Sequence, residues 1–247
     1  MVNSLFTIHK ELNMKIEIWS DIMCPFCYIG KRRFEAALSA LEFSDKVSVE
    51  WHSFQLDPDI QHDHAKTLYA YLSERKGISL EQSVDMHRHV TEMAKDAGLD
   101  YHFEKAVVAN SFDAHRLIQL AKTAGRGDEA EERLFHAYFT EGKDVSDHKV
   151  LAELGKDIGL TGEQVSAALN DDNYAYKVRQ DIDEASQLGI RGVPFFIFNR
   201  KYAVSGAQPE EIFLQALRQS FADWKKDNGL QIVSADGAAC TPDGKCD

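Results

Sequence analysis

Lys15-Ile16-Glu17-Ile18-Trp19-Ser20-Asp21-Ile22-Met23-Cys24-Pro25-Phe26-Cys27 is the stretch on which the fold turns. From Lys15 to Ser20 polar and apolar residues alternate, the period of a half-buried strand. Pro25 stands where a first helical turn begins, a favoured slot because its missing N–H would have no partner there. Phe34, Ala37, Leu38 and Leu41 then recur at helical spacing. Val47, Val49 and Trp51 alternate with Ser48, Glu50 and His52, which predicts a second strand. Strand, helix and strand in succession require a crossover and a parallel pairing. Cys24 therefore falls at a helix N-terminus, where unpaired N–H groups and the helix dipole favour an anion.

Beyond this opening the pattern changes. From about residue 63 to 188 only helices are predicted. One stripe holds Met86, Val90, Met93, Ala94 and Ala97, and another holds Ala114, Leu117, Ile118, Ala121 and Ala124, capped at Ser111. Leu134, Phe135 and Tyr138, then Leu151, Leu154 and Ile158, then Val178, Ile182 and Ala185 mark three more, all read as core faces. Gly98, Gly125, Gly159 and Gly189 close runs as C-terminal caps do. Strand character returns at Val193-Pro194-Phe195-Phe196-Ile197-Phe198, with a turn at Asn199-Arg200 and a short strand at Tyr202-Ala203-Val204. Proline cannot donate to a sheet ladder, so Pro194 is expected to begin an edge strand or mark a bend. A last helix starts near Pro209 and carries Ile212, Phe213, Ala216, Leu217 and Phe221. The order βαβ, helical block, ββα predicts an α/β fold interrupted by a large all-helical insertion. Residues 14–62 and 189–228 form its discontinuous α/β part, 63–188 the insertion, and 229–247 a flexible, cysteine-containing tail.

With 247 residues the chain can bury a full core without staples. Lys+Arg of 28 against Asp+Glu of 40 gives a formal charge of −12. That field repels phosphate backbones and anionic lipid, so nucleic acid and membranes are not expected partners. No apolar run approaches the roughly 20 residues a membrane helix needs. In the first thirteen residues Leu5, Phe6 and Ile8 are too few for the apolar region of a signal peptide, and the charges of Lys10 and Glu11 cut that region short. A cytoplasmic address is expected.

The four cysteines form two local pairs, Cys24/Cys27 and Cys240/Cys246. In a reducing compartment, closely spaced cysteines are redox-active or bind metal. As a redox pair, Cys24 is the attacking thiol, and Cys27, one turn in and more buried, resolves the mixed disulfide. Lys31, Arg32 and Arg33 come next as a solvated face. The bland alternative is half of a zinc site in a non-catalytic, zinc-stabilised binding module. That needs a second ligand pair. His87 and His89 are two apart on a helix and point to different faces, His62 and His64 lie in a loop, and only the tail pair offers a Cys₄ set. The redox reading leads because the CxxC adjoins a βαβ pattern, and no metal is assigned.

Trp19-Ser20-Asp21, Cys24-Pro25-Phe26-Cys27-Tyr28-Ile29-Gly30, Asn110-Ser111 with Ala114-His115-Arg116, and Gly192-Val193-Pro194 together resemble the DsbA family of the thioredoxin superfamily, most nearly its FrnE-like branch. The resemblance runs from about Met14 to Trp224. It implies a thioredoxin-like fold and thiol–disulfide oxidoreductase activity, as disulfide reductase, isomerase or oxidase, without a cofactor. It also implies a cis Val193–Pro194 bond against the cysteines, in a loop that binds extended peptide or glutathione and discourages metal capture. Pro25 and Phe26 would tune the redox chemistry. Many DsbA proteins carry histidine where this chain has Phe26, so Cys24 is expected to be a less acidic thiol and the protein a milder oxidant. Relatives of this architecture include 2-hydroxychromene-2-carboxylate isomerases and kappa-class glutathione transferases, which typically carry serine at the position of Cys24. A glutathione-dependent transferase or isomerase is the enzymatic alternative. The segment Asn110 to His115 would line a glutathione site in that case, although His115 and Arg116 read equally as ordinary polar residues on a helix with its other face in the core.

Cys240-Thr241-Pro242-Asp243-Gly244-Lys245-Cys246 brackets a Pro-Asp-Gly turn that brings its cysteines toward disulfide range. The linker from Asn228 spans about 40 Å when extended, enough to reach Cys24. A second redox pair exchanging with Cys24/Cys27 and an inert tail stand level.

Overall fold

The computed structural model of the chain describes residues 13–61 and 63–228. β1 (Met14–Ser20), α1 (Pro25–Ser39) and β2 (Val47–Ser53) come first. There follow β3 (Asp63–Thr67), α2 (Leu68–Lys76), α3 (Leu80–Asp96), β4 (Val107–Val108), α4 (Phe112–Thr123) and α5 (Gly127–Phe139). Next are α6 (His148–Asp157), α7 (Gly162–Asn170) and α8 (Asp172–Gln187), then β5 (Phe195–Phe198), β6 (Tyr202–Ser205) and α9 (Glu210–Asn228).

The main sheet has the order β2-β1-β5-β6. β1 and β2 are parallel from Met14 opposite Val47 to Ser20 opposite Ser53, while β1–β5 and β5–β6 are antiparallel. Asn199 and Arg200, at φ 50° and 54°, form the two-residue turn between β5 and β6, a left-handed pair that matches strand twist. This is the thioredoxin-like arrangement the sequence predicted, with a helix-rich segment between β2 and β5. That segment is not purely helical: β3 and β4 pair antiparallel in a two-stranded sheet of their own. Asp63–Thr67 carries no alternation of apolar residues and two residues cannot display a period, so neither strand was legible.

One face of the main sheet packs against α1 and α9. Ile16, Ile18, Phe34, Phe196, Phe198 and Phe213 form its fully buried centre, each contributing about 1.5–3 kcal/mol by burial. Phe34, Phe196 and Phe213 meet at centroid distances of 4.7–5.9 Å. The other face is covered as well, because α8 brings Ala185 onto Trp19 and Ile197. β1 is therefore not the half-buried strand its alternation suggested: Glu17 is as buried as Ile16 and Ile18. Nor does Pro194 begin an edge strand. β5 lies between β1 and β6, and Pro194 precedes it at a bend with a cis Val193–Pro194 bond.

Gly98, Gly125, Gly159 and Gly189 sit at positive φ just past helices, as expected. Two details of the helical readings change. Ser111 occupies the N-cap of α4 but makes no side-chain cap bond; Asn110 Oδ1 accepts from Phe112 N instead, at 2.9 Å. Met86, read as core, is 41% exposed and faces a cleft.

Candidate active site

Cys24 is the N-cap of α1 and Pro25 its first residue. The Cys24 amide donates to Asp21 O (2.9 Å), and the Cys27 amide donates to Cys24 O (3.0 Å), closing the first turn. Both carboxylate oxygens of Asp21 are taken up by the surrounding backbone, Oδ1 by Met23 N at 3.2 Å and Oδ2 by Leu56 N at 2.7 Å. Cys24 is thereby fixed between two loops. Its Sγ donates to Val193 O at 3.5 Å, so the structure brings together the Cys24 and Val193–Pro194 segments named from the sequence. Gly30, one turn beyond Cys27, permits this approach. A Cβ there would meet Pro194 Cγ at 2.9 Å.

Cys27 is fully buried. Burial pushes its thiol well above the ordinary value, and the adjacent Cys24 adds to this, while the Asp21 backbone and the Ser20 hydroxyl pull the other way. Tyr101 donates to Pro25 O at 2.7 Å, tying the first turn to the insertion.

A cleft of about 360 Å³ opens beside Cys24. Met23 and Phe26 border it from the cysteine side, Leu56 and Ile60 from the loop after β2, and Leu72, Met86 and His87 from α2 and α3. Phe26 is 39% exposed and offers the rim an apolar surface. Ser111 also lines the cleft. Asn110 instead organises the loop, donating to Pro58 O and Ile60 O and accepting from Gln55.

Several polar residues sit where sequence did not place them. Lys31 is not solvated. It is 2% exposed and is held by Glu35, Asp128 and Glu132, while Arg32 pairs with Glu132. Arg33 donates to Ala207 O at 2.6 Å. His115 is fully buried, its Nε2 3.5 Å from Asp21 Oδ1, with neither ring nitrogen hydrogen-bonded. Arg116 closes the end of α7 by donating to Ala168 O and Asp171 O.

Glu131 on α5 is the least expected. It is fully buried, accepts from Ser20 Oγ at 3.4 Å through Oε2, and has no hydrogen-bond partner on Oε1. Burial pushes its carboxyl up to about 8, with the charge of Lys31 opposing and those of Asp128 and Asp21 reinforcing. The sequence held a signal for it. Glu131 lies three and four residues before Leu134 and Phe135, on the buried stripe of its helix.

His87 is buried and His89 exposed on α3, on different faces as expected; His64 lies on β3 and not in a loop. His62, Cys240 and Cys246 lie outside the described residues. Among the described residues, the groups spaced to hold a metal ion centre on His52, with Glu17 and Glu50 or with Asp181 and Glu184. Their carboxylates already bind Lys15, Lys122 and Arg200, and none of them adjoins the cysteines.

A CxxC at the N-terminus of the first sheet-packed helix, closed by the residue before a cis-proline, defines a thioredoxin-superfamily site. Residues 15–218 match the DSBA-like thioredoxin domain family, and the chain belongs to it. It is 40% identical to the probable DsbA oxidoreductase SCO1869 from Streptomyces coelicolor, with a TM-score of 0.81 over 95% of this chain and 99% of that one. YwbO of Bacillus subtilis (strain 168) is 28% identical over 83% of this chain and 96% of its own length. The fold is shared with the cytosolic disulfide reductase DsbM from Pseudomonas aeruginosa, in its structure with GSH, at 17% identity and a TM-score of 0.59 over 87% of this chain and 100% of that one. Among the described residues no helix is long and apolar enough to cross a membrane.

Proposed function

We propose that this protein is a cytoplasmic thiol–disulfide oxidoreductase of the FrnE-like branch, with Cys24 attacking and Cys27 resolving. The observation that carries the reading is the placement of Cys24 Sγ against Val193 O at the mouth of an apolar cleft, with Cys27 buried one turn behind it. As a thiolate, Cys24 attacks a substrate disulfide; a Cys24–substrate disulfide forms and one substrate thiolate departs. Cys27 then attacks Cys24, forming the Cys24–Cys27 disulfide and releasing the second thiolate. The helix N-terminus stabilises the anion at Cys24. The Val193–Pro194 backbone aligns an extended disulfide-bearing peptide or glutathione, and Pro25 and Phe26 set the potential and the apolar rim.

The substrates are protein or small-molecule disulfides and thiols, with glutathione as the thiol that returns the oxidised pair to its reduced form. No cofactor, metal, nucleic acid or membrane enters the cycle. Residues 14–62 and 189–228 carry the chemistry, and 63–188 form the cleft's far wall. Cys240 and Cys246, in the tail 229–247, act as a second pair that exchanges with Cys24/Cys27.

Reduction of insulin or of glutathione disulfide tests the reading. Cys24→Ser is expected to abolish turnover, and Cys27→Ser to accumulate a covalent Cys24–substrate disulfide visible by mass spectrometry. Turnover that survives Cys24→Ser would overturn it. Replacing Cys240 and Cys246 with serine is expected to slow recycling of the oxidised enzyme; an unchanged redox state of Cys24 refutes exchange with the tail.

A further inference from the structure

The cleft of about 360 Å³ has room for a side chain, and it begins at Cys24 itself. Whatever fills it is therefore joined to the disulfide that Cys24 attacks. Its walls are mostly apolar, with Met23 and Phe26 on one side and Leu72, Met86 and Phe103 on the other. Glutathione, with two carboxylates and no large apolar side chain, leaves those walls facing water. Methionines and phenylalanines together suit an aromatic ring, because thioether sulfur packs favourably at ring edges.

Most polar side chains on the wall are engaged elsewhere. Asp21 accepts two backbone amides. Asp57 binds Arg75 and accepts from the Tyr71 hydroxyl, and Arg75 also donates to Leu56 O at 2.8 Å. Lys76 is exposed, and the Ser111 hydroxyl turns to suit either role.

His87 differs. It is 7% exposed and lines the cleft from α3. Ser83, one turn earlier, donates to Tyr69 O at 2.8 Å and so ties α3 to α2. Ser83 O in turn lies 2.7 Å from His87 Nδ1. A carbonyl only accepts, so Nδ1 carries the proton and the lone pair falls on Nε2. The ring stands edge-on to Tyr69 and Phe103, at centroid distances of 4.9 and 4.6 Å, which fixes its direction. Burial lowers the His87 pKa against the opposing pull of Ser83 O, and the ring is neutral at pH 7. Among the described residues no donor reaches Nε2, which leaves one directed acceptor in an apolar wall.

We propose that the cleft is a specificity site for a phenolic side chain, a tyrosine next to the substrate cysteine, whose ring fills the apolar walls and whose hydroxyl donates to His87 Nε2. This rests on the oxidoreductase reading above and names the substrate class, disulfides flanked by tyrosine. A phenol meets both demands, an apolar ring and a single donor at its far end. Phenylalanine leaves the acceptor desolvated and unpaired, and a charged side chain loses its hydration without gaining a partner.

Single-turnover reactions of the reduced full-length protein test this. The substrates are symmetric disulfide dimers of the pentapeptide Gly-Xaa-Cys-Xaa-Gly, where Xaa is tyrosine, O-methyltyrosine, phenylalanine or glycine. Each dimer takes two electrons and two protons from the Cys24 and Cys27 thiols. Those close to a disulfide, and two peptide thiols are released and counted by chromatography. The tyrosine dimer is expected to react about 10²-fold faster than the glycine dimer, through burial of the ring. It should outpace the phenylalanine and O-methyltyrosine dimers about tenfold, through one hydrogen bond. In His87→Leu the tyrosine and phenylalanine dimers should react alike. Met86→Glu, at an exposed position, should cut the tyrosine-to-glycine ratio on the order of tenfold, and supplies the comparison should His87→Leu fail to fold. Ratios are taken within each protein, so a general loss of activity cancels. A wild type that reduces none of the four dimers defeats the oxidoreductase reading itself. A wild type that reduces all four at one rate, or tyrosine and O-methyltyrosine dimers equally, overturns the phenol site alone. So does a preference for tyrosine over phenylalanine that survives in His87→Leu.

Discussion

The two faces of the main sheet are built from different materials. Against α1 and α9, Ile16, Ile18, Phe196, Phe198 and Phe213 interlock with no charged group among them. Against the insertion, Trp19 and His52 meet Asp181, Ser20 meets Glu131 and Ser53 meets Gln119, while Glu17 pairs with His52 and Arg200. Asp181 illustrates the second construction. Its side chain accepts from Ser53 N at 2.8 Å and from Gln119 Nε2 at 2.6 Å, and pairs with His52 Nδ1 at 2.9 Å. The apolar face holds the sheet together whatever the solution. The polar face joins two parts of the chain through groups whose charges depend on pH, and the cysteines sit at its end.

The largest expected effect lies on the apolar face. Phe196→Ala removes a fully buried ring that packs tilted against Phe34 and edge-on to Phe213. It should cost about 3–5 kcal/mol in denaturant unfolding, by the same amount at pH 5 and pH 8. A cost that varied strongly with pH would erase the contrast between the faces.

Next comes Asp181→Ala, which strands His52, Ser53 N and Gln119 without their common acceptor. Removing one partner from a buried charged network costs about 3 kcal/mol. Despite burial, Asp181 raises the pKa of His52. Stability from that pair is complete below the ordinary histidine value of 6.5 and is lost as pH rises through the raised one. The deficit of Asp181→Ala should therefore shrink at alkaline pH, and unfolding at pH 6 and pH 9 measures the difference.

Glu131 has the same sign over a lower range of pH. The folded state holds its proton up to about 8, against an ordinary value of 4.5. Wild-type stability should therefore fall relative to Glu131→Gln between those limits, by up to roughly 1.4 kcal/mol for each pH unit. Parallel curves for the two proteins would show that the carboxyl is already ionised.

The smallest effect should come from Arg200→Gln. Arg200 is 47% exposed, so its pairing with Glu17 contributes about 1 kcal/mol. Stability due to the depressed Glu17 value is present above 4.5 and lost as pH falls through about 2. The variant should differ from wild type at pH 5 and converge with it near pH 2.

The apolar face and the cysteine motif were legible because each is local. Alternation marked β1 and β2, helical spacing marked α1, and Pro25 fixed where α1 begins. The polar face was not, because a strand's period describes one side and is silent about what covers the other. Glu17 and Lys31 looked solvated until α8 and α5 arrived from far along the chain. The resemblance to DsbA proteins led to Val193–Pro194, which local patterning read only as the start of an edge strand or a bend, and no local rule joined Glu131 to Ser20.

Cys24 and the carbonyl that closes over it are 169 residues apart in the chain. At a translation speed of roughly 5–20 residues per second, Val193 is made about 8 to 34 seconds after Cys24. During that interval the growing polypeptide carries the Cys24 thiol without the carbonyl that closes over it, and Val193 must emerge before the thiol is enclosed. Newborn copies are thus the ones most open to oxidants and to premature bonding with neighbouring thiols.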